Sequence, residues 1–426
     1  MLRASLCIAF AAMLPGQTEP VAPEPGASEK LYWPGDQWES VAAAQAGMDG
    51  KKLDAVAKYA LSRHSTSFLV LRHGRILLEV YGEGGGPKVS RKIASATKSM
   101  TSILVGMALD AGKFEGLDQT VAEFLPSWRD TPKAKITLLH LLAMSSGLDP
   151  KSLPRGWLQT DQFTHNATMT LTAAPGTVWS YNTSAYHMLF RLLEKSTGQS
   201  LEEWSAERLF GPLGMEHAGW NKRPSRDGVI NYFNVACSAR DLARFGLFVL
   251  RGGTWRGKRL ISSDFFKAAT SSSQEMNPAY GYLFWLNARK GHAAGGGKVD
   301  YRFKGAPRDL IACLGKNGQH IISIPSQDLV IVRQGESPRD PEFKARYVRL
   351  VLSAIEGSSF VAEPASGLGA QRSRIFARLD KDGDGRLSAT EFGASTLGRE
   401  QPEIFARIDA DGDGYLSSEE IATLRR

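Results

Sequence analysis

Apolar residues run through this chain in two rhythms. Phe68-Leu69-Val70-Leu71 and Ile76-Leu77-Leu78-Glu79-Val80-Tyr81 are short runs that fold back at His73-Gly74, which predicts a hairpin of two strands. Ile321-Ile322-Ser323-Ile324 and Leu329-Val330-Ile331-Val332 predict a second strand pair. Between these pairs the spacing changes. Met100 to Leu109 is apolar at helical intervals, as is the stretch holding Leu189, Leu192 and Leu193. A mixed α and β core follows, and 42% hydrophobic residues in a chain of 426 suffice to bury it.

Ser95-Ala96-Thr97-Lys98 opens the first helix, so a hydroxyl and an amine three residues apart share one face. A serine becomes a nucleophile when a neighbour accepts its proton, and a lysine desolvated beside it is neutral often enough to do so. Following the strand hairpin, the pair is expected in a cleft beside a sheet. Pro175-Gly176-Thr177-Val178-Trp179-Ser180-Tyr181-Asn182-Thr183 then sets a phenol and small polar groups between a turn and a helix. Placed near two lysines, that phenol is expected to lose its proton well below its usual value of about 10. Gly315-Lys316-Asn317-Gly318 precedes the third strand run, with Gly318 expected to let backbone approach a ligand and Lys316 to supply charge.

Serine-lysine, tyrosine and lysine-x-glycine, in that order, resemble the serine β-lactamase and penicillin-recognising family. The likeness is to its tyrosine-using branch, which includes class C β-lactamases, family VIII esterases, D-aminopeptidases and 6-aminohexanoate-dimer hydrolase. Ile93 to Ser99, Leu141 to Leu148 and Ser238 to Gly246 support it, over about residues 32–357. The resemblance implies an α/β fold: an antiparallel sheet flanked by helices, plus a mainly helical subdomain over about 106–251. It implies Ser95 as acyl-accepting nucleophile, Lys98 as its proton acceptor, Tyr181 as general base or acid, and Lys316 as the charge that tunes Tyr181 and orients substrate. The backbone N–H groups of Ser95 and Gln319 would form the oxyanion hole.

Two positions depart from the family pattern. Thr183 stands where a Tyr-x-Asn motif would have its asparagine, and Ser180-Tyr181-Asn182 also reads as the Ser-x-Asn form; the helix through Glu194-Lys195-Ser196-Thr197-Gly198 favours Tyr181. Asn317 replaces the usual Thr or Ser that holds a β-lactam carboxylate, so a small ester or linear amide is the expected substrate. The alternatives are a β-lactamase, a D,D-peptidase or D-aminopeptidase, and a non-catalytic cell-wall-binding protein.

The C-terminus carries different chemistry. Asp380, Asp382, Asp384, Arg386, Ser388 and Glu391 fall at the ligand positions of a twelve-residue EF-hand loop with glycine at the sixth place, and Asp409, Asp411, Asp413, Tyr415, Ser417 and Glu420 repeat it. Arg386 and Tyr415 would contribute carbonyl oxygens. Three carboxylates within five residues repel one another without a cation, and hard oxygen ligands select calcium. Phe376-Ala377-Arg378-Leu379 is echoed by Phe405-Ala406-Arg407-Ile408, so 366–426 is expected to be a small all-α pair of hands holding two structural Ca2+ ions.

Met1 to Gly16 has one early charge and an apolar run too short to span a bilayer, the pattern of a signal peptide, followed by a Pro/Glu-rich linker; 1–29 is expected to be leader and linker. A periplasmic or extracellular enzyme follows, with no transmembrane span in the mature chain. The net charge of +8 is scattered, and 366–426 holds nine Lys/Arg and eleven Asp/Glu, so nothing points to nucleic acid. Cys237 and Cys313 stand in apolar contexts and read as buried free thiols. Trp157, Trp179 and Trp285 would wall an acyl pocket or simply pack, His320 would pack in a strand, and the loop from Asn287 to Arg308 would either be solvated or bring Arg302 or Lys304 to a substrate carboxylate. No protein partner is legible.

Overall fold

The computed structural model describes residues 31–154, 160–299, 301–338, 340, 342–360, 379, 387–409 and 414–416. The expected leader, Trp157 and the loop residues Asp380, Asp382, Asp384, Arg386, Asp411, Asp413, Ser417 and Glu420 lie outside that set. Both hairpins form where the sequence places them: β1 (Ser65–Arg72) with β2 (Arg75–Tyr81), and β7 (Gln319–Ile324) with β8 (Leu329–Gly335). With β5 (Trp285–Leu286) and β6 (Ile311–Gly315) they make one antiparallel sheet in the order β5-β6-β7-β8-β1-β2.

Continuous apolar runs, rather than alternation, fill these strands because both sheet faces are covered. The register sets Phe68, Val70, Ile331 and Arg333 on one face and Leu69, Leu71, Val330 and Val332 on the other. Helix α1 (Gly50–Leu61) and α5 (Phe343–Ser353) pack on the first face, where Tyr347 meets Phe68 edge-on with ring centroids 5.4 Å apart. Helix α4 (Ala239–Leu250) covers the second, its Gly246 lying against Val330 and Ile321 and its carbonyl accepting from Ser323 Oγ at 2.9 Å. Each fully buried Leu, Ile or Phe here contributes about 1.5–3 kcal/mol.

The expected subdomain is less purely helical than its sequence suggests. Besides α2 (Thr97–Asp110) and α3 (Thr183–Thr197) it contains a three-stranded sheet, in which β4 (Ile230–Cys237) lies between β3 (Gly219–Pro224) and the short strand Arg91–Lys92. That sheet holds the start of α2, since Ile93 N–H donates to Val235 O at 3.0 Å and Val235 N–H to Thr97 Oγ1 at 2.9 Å. Cys237 and Cys313 are buried free thiols, as expected. Among the described residues no helix is long and apolar enough to cross a membrane.

At the C-terminus a separate small core gathers Leu379, Leu387, Phe392, Ile404, Ile408 and Leu416. Leu387–Ser388 pairs antiparallel with Tyr415–Leu416, joining the two loops at their eighth positions. Ser388 and Glu391 form the predicted capping box, which starts the helix Ala389–Gly393.

Candidate active site

The turn before α2 presents Ser95. Ala94 adopts φ +48°, a conformation costly for a residue with a Cβ, and Ser95 stays partly exposed while Lys98 one turn later is 2% exposed. Helical spacing brings Lys98 Nζ to 3.3 Å from Ser95 Oγ. Burial pushes that amine down to about 7, so it can exist neutral beside the hydroxyl at ordinary pH.

Helix α3 brings the second group. Tyr181 stands just before its N-terminus, and the Ser95 hydroxyl hydrogen-bonds the phenol. Lys98 Nζ also reaches Thr183 Oγ1 at 3.2 Å and lies 5.0 Å from the Tyr181 ring centroid and 4.4 Å from that of Tyr186. Thr183 thus occupies the place facing the lysine, while Asn182 turns inward: its Oδ1 caps α3 by accepting from Ala185 N–H at 3.0 Å, and its Nδ2 donates to Leu148 O at 2.9 Å. Ser180 is exposed. Tyr181 and Thr183 thus lie beside Lys98, while the Asn182 side chain is spent on the helix cap and on Leu148 O. The loop Met144 to Gly147 sets this segment in place, with Met144 O accepting from Ser180 N–H at 2.9 Å and Ser145 O from Gly176 N–H at 2.8 Å.

The electrostatics of Tyr181 differ from expectation. Burial raises its ionisation above the ordinary phenol value; the bond from Ser95 and the charge of Arg302 oppose that shift. The phenol is therefore protonated at rest, suited to relay or donate a proton once Lys98 is engaged. Lys316, expected as the tuning charge, is exposed on the turn Lys316–Gly318 between β6 and β7. Arg302 also lies beside the phenol, its guanidinium 3.9 Å from the Trp285 centroid, with Trp285 stacked on Tyr181 at 5.7 Å and 16°. Asn287 positions this arginine: its Nδ2 donates to Phe303 O, Ala306 O and Pro307 O at 3.0–3.1 Å, and its Oδ1 accepts from Phe303 N–H at 2.9 Å. Lys304 is exposed.

Gly318, in the third motif, has φ +73°, and a Cβ there would strike the buried Arg333, so the hairpin itself requires a glycine. Gly315 makes the close approach, its missing Cβ leaving room for the Ile93 carbonyl beside the nucleophile turn. Arg333 braces that hairpin by donating to Asn317 O at 2.8 Å, Gly318 O at 2.9 Å and Ser65 Oγ at 2.9 Å. Gln319 is buried, and its Nε2 donates to Gly335 O at 2.6 Å. His320 packs in its strand, bonded through Nδ1 to Tyr347 Oη at 2.8 Å.

Trp179 and Tyr280 complete an aromatic wall: Trp179 lies 6.2 Å from Trp285 and 5.6 Å from Tyr280 between centroids. The sequence offered Trp179 and Trp285 for this wall; Tyr280, Thr183 and Arg333 were not singled out for the site. Among the described residues no cluster of His, Cys, Asp or Glu could hold a metal.

At the C-terminal loops, Asp409 Oδ2 accepts from Gly414 N–H at 3.1 Å, while Oδ1 is buried without a hydrogen-bond partner. An unsatisfied buried carboxylate oxygen at the first loop position fits a hard cation.

Comparison with known proteins agrees with both parts. The family model described as Beta-lactamase matches residues 43–353, and that described as EF hand matches 372–394 and 403–424. The 6-aminohexanoate-dimer hydrolase of Paenarthrobacter ureafaciens is 26% identical over 296 residues, covering 65% of this chain and 73% of that protein. The fold is shared with a putative 6-aminohexanoate-dimer hydrolase from Bacillus anthracis (TM-score 0.58, 19% identity, 74% of this chain and 86% of the other). It is shared equally with a class C beta lactamase from Rhodobacter sphaeroides (TM-score 0.57, 17% identity, 71% and 99%). The chain belongs to the beta-lactamase family of serine hydrolases and carries EF-hand motifs at its C-terminus.

Proposed function

We propose that this protein is a secreted serine hydrolase that cleaves a small ester or amide through an acyl-enzyme on Ser95, with a C-terminal module holding two structural calcium ions. The hydrolase reading is carried by one observation: a lysine amine, buried and depressed to about 7, stands 3.3 Å from the Ser95 hydroxyl. In the acylation step the Ser95 proton passes to neutral Lys98, Ser95 Oγ bonds to the substrate carbonyl carbon, and the carbonyl oxygen takes the negative charge. Main-chain N–H groups of Ser95 and of Gln319 are the proposed donors to that oxygen. Tyr181 then gives its proton to the departing alcohol or amine and is reprotonated through Lys98. Water, deprotonated by the same pair, hydrolyses the ester to Ser95 and restores the resting enzyme.

Calcium, when bound, supplies positive charge that offsets the repulsion of each acidic loop. Asp380, Asp382, Asp384, Ser388 and Glu391, with the Arg386 carbonyl, would hold one ion; Asp409, Asp411, Asp413, Ser417 and Glu420, with the Tyr415 carbonyl, the other. The orphaned oxygen of Asp409 supports this reading. Secretion to the periplasm or exterior rests on the leader-like pattern of residues 1–16.

A panel of nitrophenyl esters, D-amino-acid amides and nitrocefin tests the substrate class. The best ester or linear amide should exceed nitrocefin in kcat/KM by about tenfold or more, equivalent to about 1.4 kcal/mol of transition-state binding. Equal turnover of nitrocefin would return the protein to the β-lactamases.

A further inference from the structure

When Lys98 takes the Ser95 proton it becomes an ammonium deep in the protein, and the groups around it offer that charge little. Burial is what depresses the amine, and among the described residues no carboxylate lies within ion-pair distance of it. An ammonium carries three N–H donors. Two have oxygen acceptors, Ser95 Oγ at 3.3 Å and Thr183 Oγ1 at 3.2 Å, and the first of these is the atom that bonds to the substrate carbonyl. The side-chain amide of Asn182 is spent on the helix cap and on Leu148 O. His187 on α3, near enough to feel the lysine's charge, is pushed down to about 3 by burial and stays neutral, bonded to Gln162. Tyr181, Tyr280 and Cys313 are kept protonated by burial, and Arg302 bears on the two phenols from its loop.

Two aromatic rings face the amine. The Tyr186 centroid lies 4.4 Å from Lys98 Nζ, nearer than that of Tyr181 at 5.0 Å. Tyr186 is 1% exposed and fixed in place. Thr101 Oγ1 donates its single proton to Thr97 O at 3.1 Å, so Tyr186 Oη is the donor to Thr101 Oγ1 at 2.9 Å, and Phe190 meets the ring edge-on at 5.1 Å and 78°. That bond ties a ring carried by α3 to α2, the helix that carries Lys98. Burial raises the phenol's ionisation, so the ring is neutral and presents the negative face of its quadrupole. A cation over such a face is stabilised most when both are out of water, whereas a neutral amine gains little there.

We propose that Tyr186 is a positioning residue for acyl transfer, its ring face stabilising Lys98 as the ammonium in place of a carboxylate or amide oxygen. The inference rests on the acyl-transfer reading of Ser95 and Lys98, and it separates Tyr186 from Tyr181, which acts through its hydroxyl. Two consequences follow from one contact. The ring raises the amine's proton affinity against the pull of burial, and it lowers the barrier by stabilising the cation that forms as Ser95 attacks. Weakening the face should therefore move the acid limb of kcat/KM to lower pH and lower the plateau above it.

Aromatic residues of graded electron density test this with the shape nearly constant: Tyr186→Phe as reference, then mono-, di- and trifluorinated phenylalanine at the same position. Profiles of kcat/KM for one uncharged nitrophenyl ester should show the limb falling in steps, by about one unit from phenylalanine to the trifluorinated ring, with the plateau down about tenfold. The same series at Phe190, which packs on Tyr186, should leave the limb in place. A limb that stays put as fluorines are added at position 186, or one that rises, overturns the proposal, because a ring that merely fills space changes rates without a graded shift in pH.

Fluorophosphonate labelling separates the two levels of the claim. Ser95 that labels while the limb stays fixed refutes the role of Tyr186 alone, whereas a wild type that does not label at Ser95 refutes the acyl-transfer reading beneath it. Should the variants turn over too slowly to profile, urea unfolding across the same pH range decides. The pH at which the folded protein begins to gain stability should fall in the same steps, and an onset that does not move would overturn the proposal.

Discussion

Replacing Lys98 with methionine should abolish turnover yet change stability in a pH-dependent way that reports the state of the amine. Lysine ordinarily holds its proton to about 10.5, and burial here brings that down to about 7. The depression corresponds to about 5 kcal/mol of unfavourable interaction with the charged form. Between those two values the unfolded chain carries a proton on this residue that the folded chain has lost. Raising the pH therefore stabilises the wild type, and lowering it through about 7 restores the full penalty. From pH 6 to pH 9 the linked gain is about 3 kcal/mol. A methionine at this position cannot titrate and fills similar volume, so K98M removes the dependence while keeping the packing. Urea unfolding of both proteins at the two pH values, in saturating calcium, measures the effect. The wild type should gain about 3 kcal/mol relative to K98M as pH rises, and wild-type kcat/KM should climb through a limb near pH 7. A difference that is flat or falls with pH would show that Lys98 keeps its proton, and with it the proton acceptor for Ser95 would be lost from the account.

Three further outcomes follow from the geometry. Tyr181→Phe should lower kcat by about 10² while Ser180→Ala leaves it within a few-fold; the reverse order, read by steady-state kinetics on one ester, would favour the Ser-x-Asn motif. Asn182→Ala should lose the cap on α3 and lower stability by about 1 kcal/mol or more in the same urea assay, since its side chain faces the core. Calorimetry should count two calcium ions per chain, Asp409→Asn should weaken one of them, and chelation should lower the melting temperature of the C-terminal module with ester hydrolysis largely retained. Activity that vanishes with the metal would contradict a structural role.

The Ser95–Lys98 pair was legible because helical spacing alone dictates that residues three apart meet, and the prediction needed no knowledge of the rest of the fold. The paired loops at the C-terminus were legible for a similar reason, and the joining of Leu387 to Leu416 agrees with the repeat. Both strand hairpins could be read from their apolar runs, although the three-stranded sheet through β4 was hidden in a stretch whose helical signal dominates. What the sequence could not convey was direction. Lys316 belongs to a recognisable motif, yet its turn, with Asn317 at φ +63°, leaves the side chain exposed. Arg302 belongs to a loop with little pattern of its own, and it reaches the site because a buried asparagine fifteen residues earlier binds the loop's carbonyls. Thr183 needed the helix cap of Asn182 to fix its rotation about α3. Contacts of this kind are long in sequence and specific to the folded state, so local spacing carries no trace of them.

The claim on which the rest depends is that Ser95 is the nucleophile, and intact-mass spectrometry after treatment with a fluorophosphonate tests it most directly. A single adduct is expected on the wild type, mapped by peptide fragmentation to Ser95, slowed strongly in K98M and absent in Ser95→Ala. An adduct that persists in Ser95→Ala, or one that maps to another serine in the wild type, would contradict it.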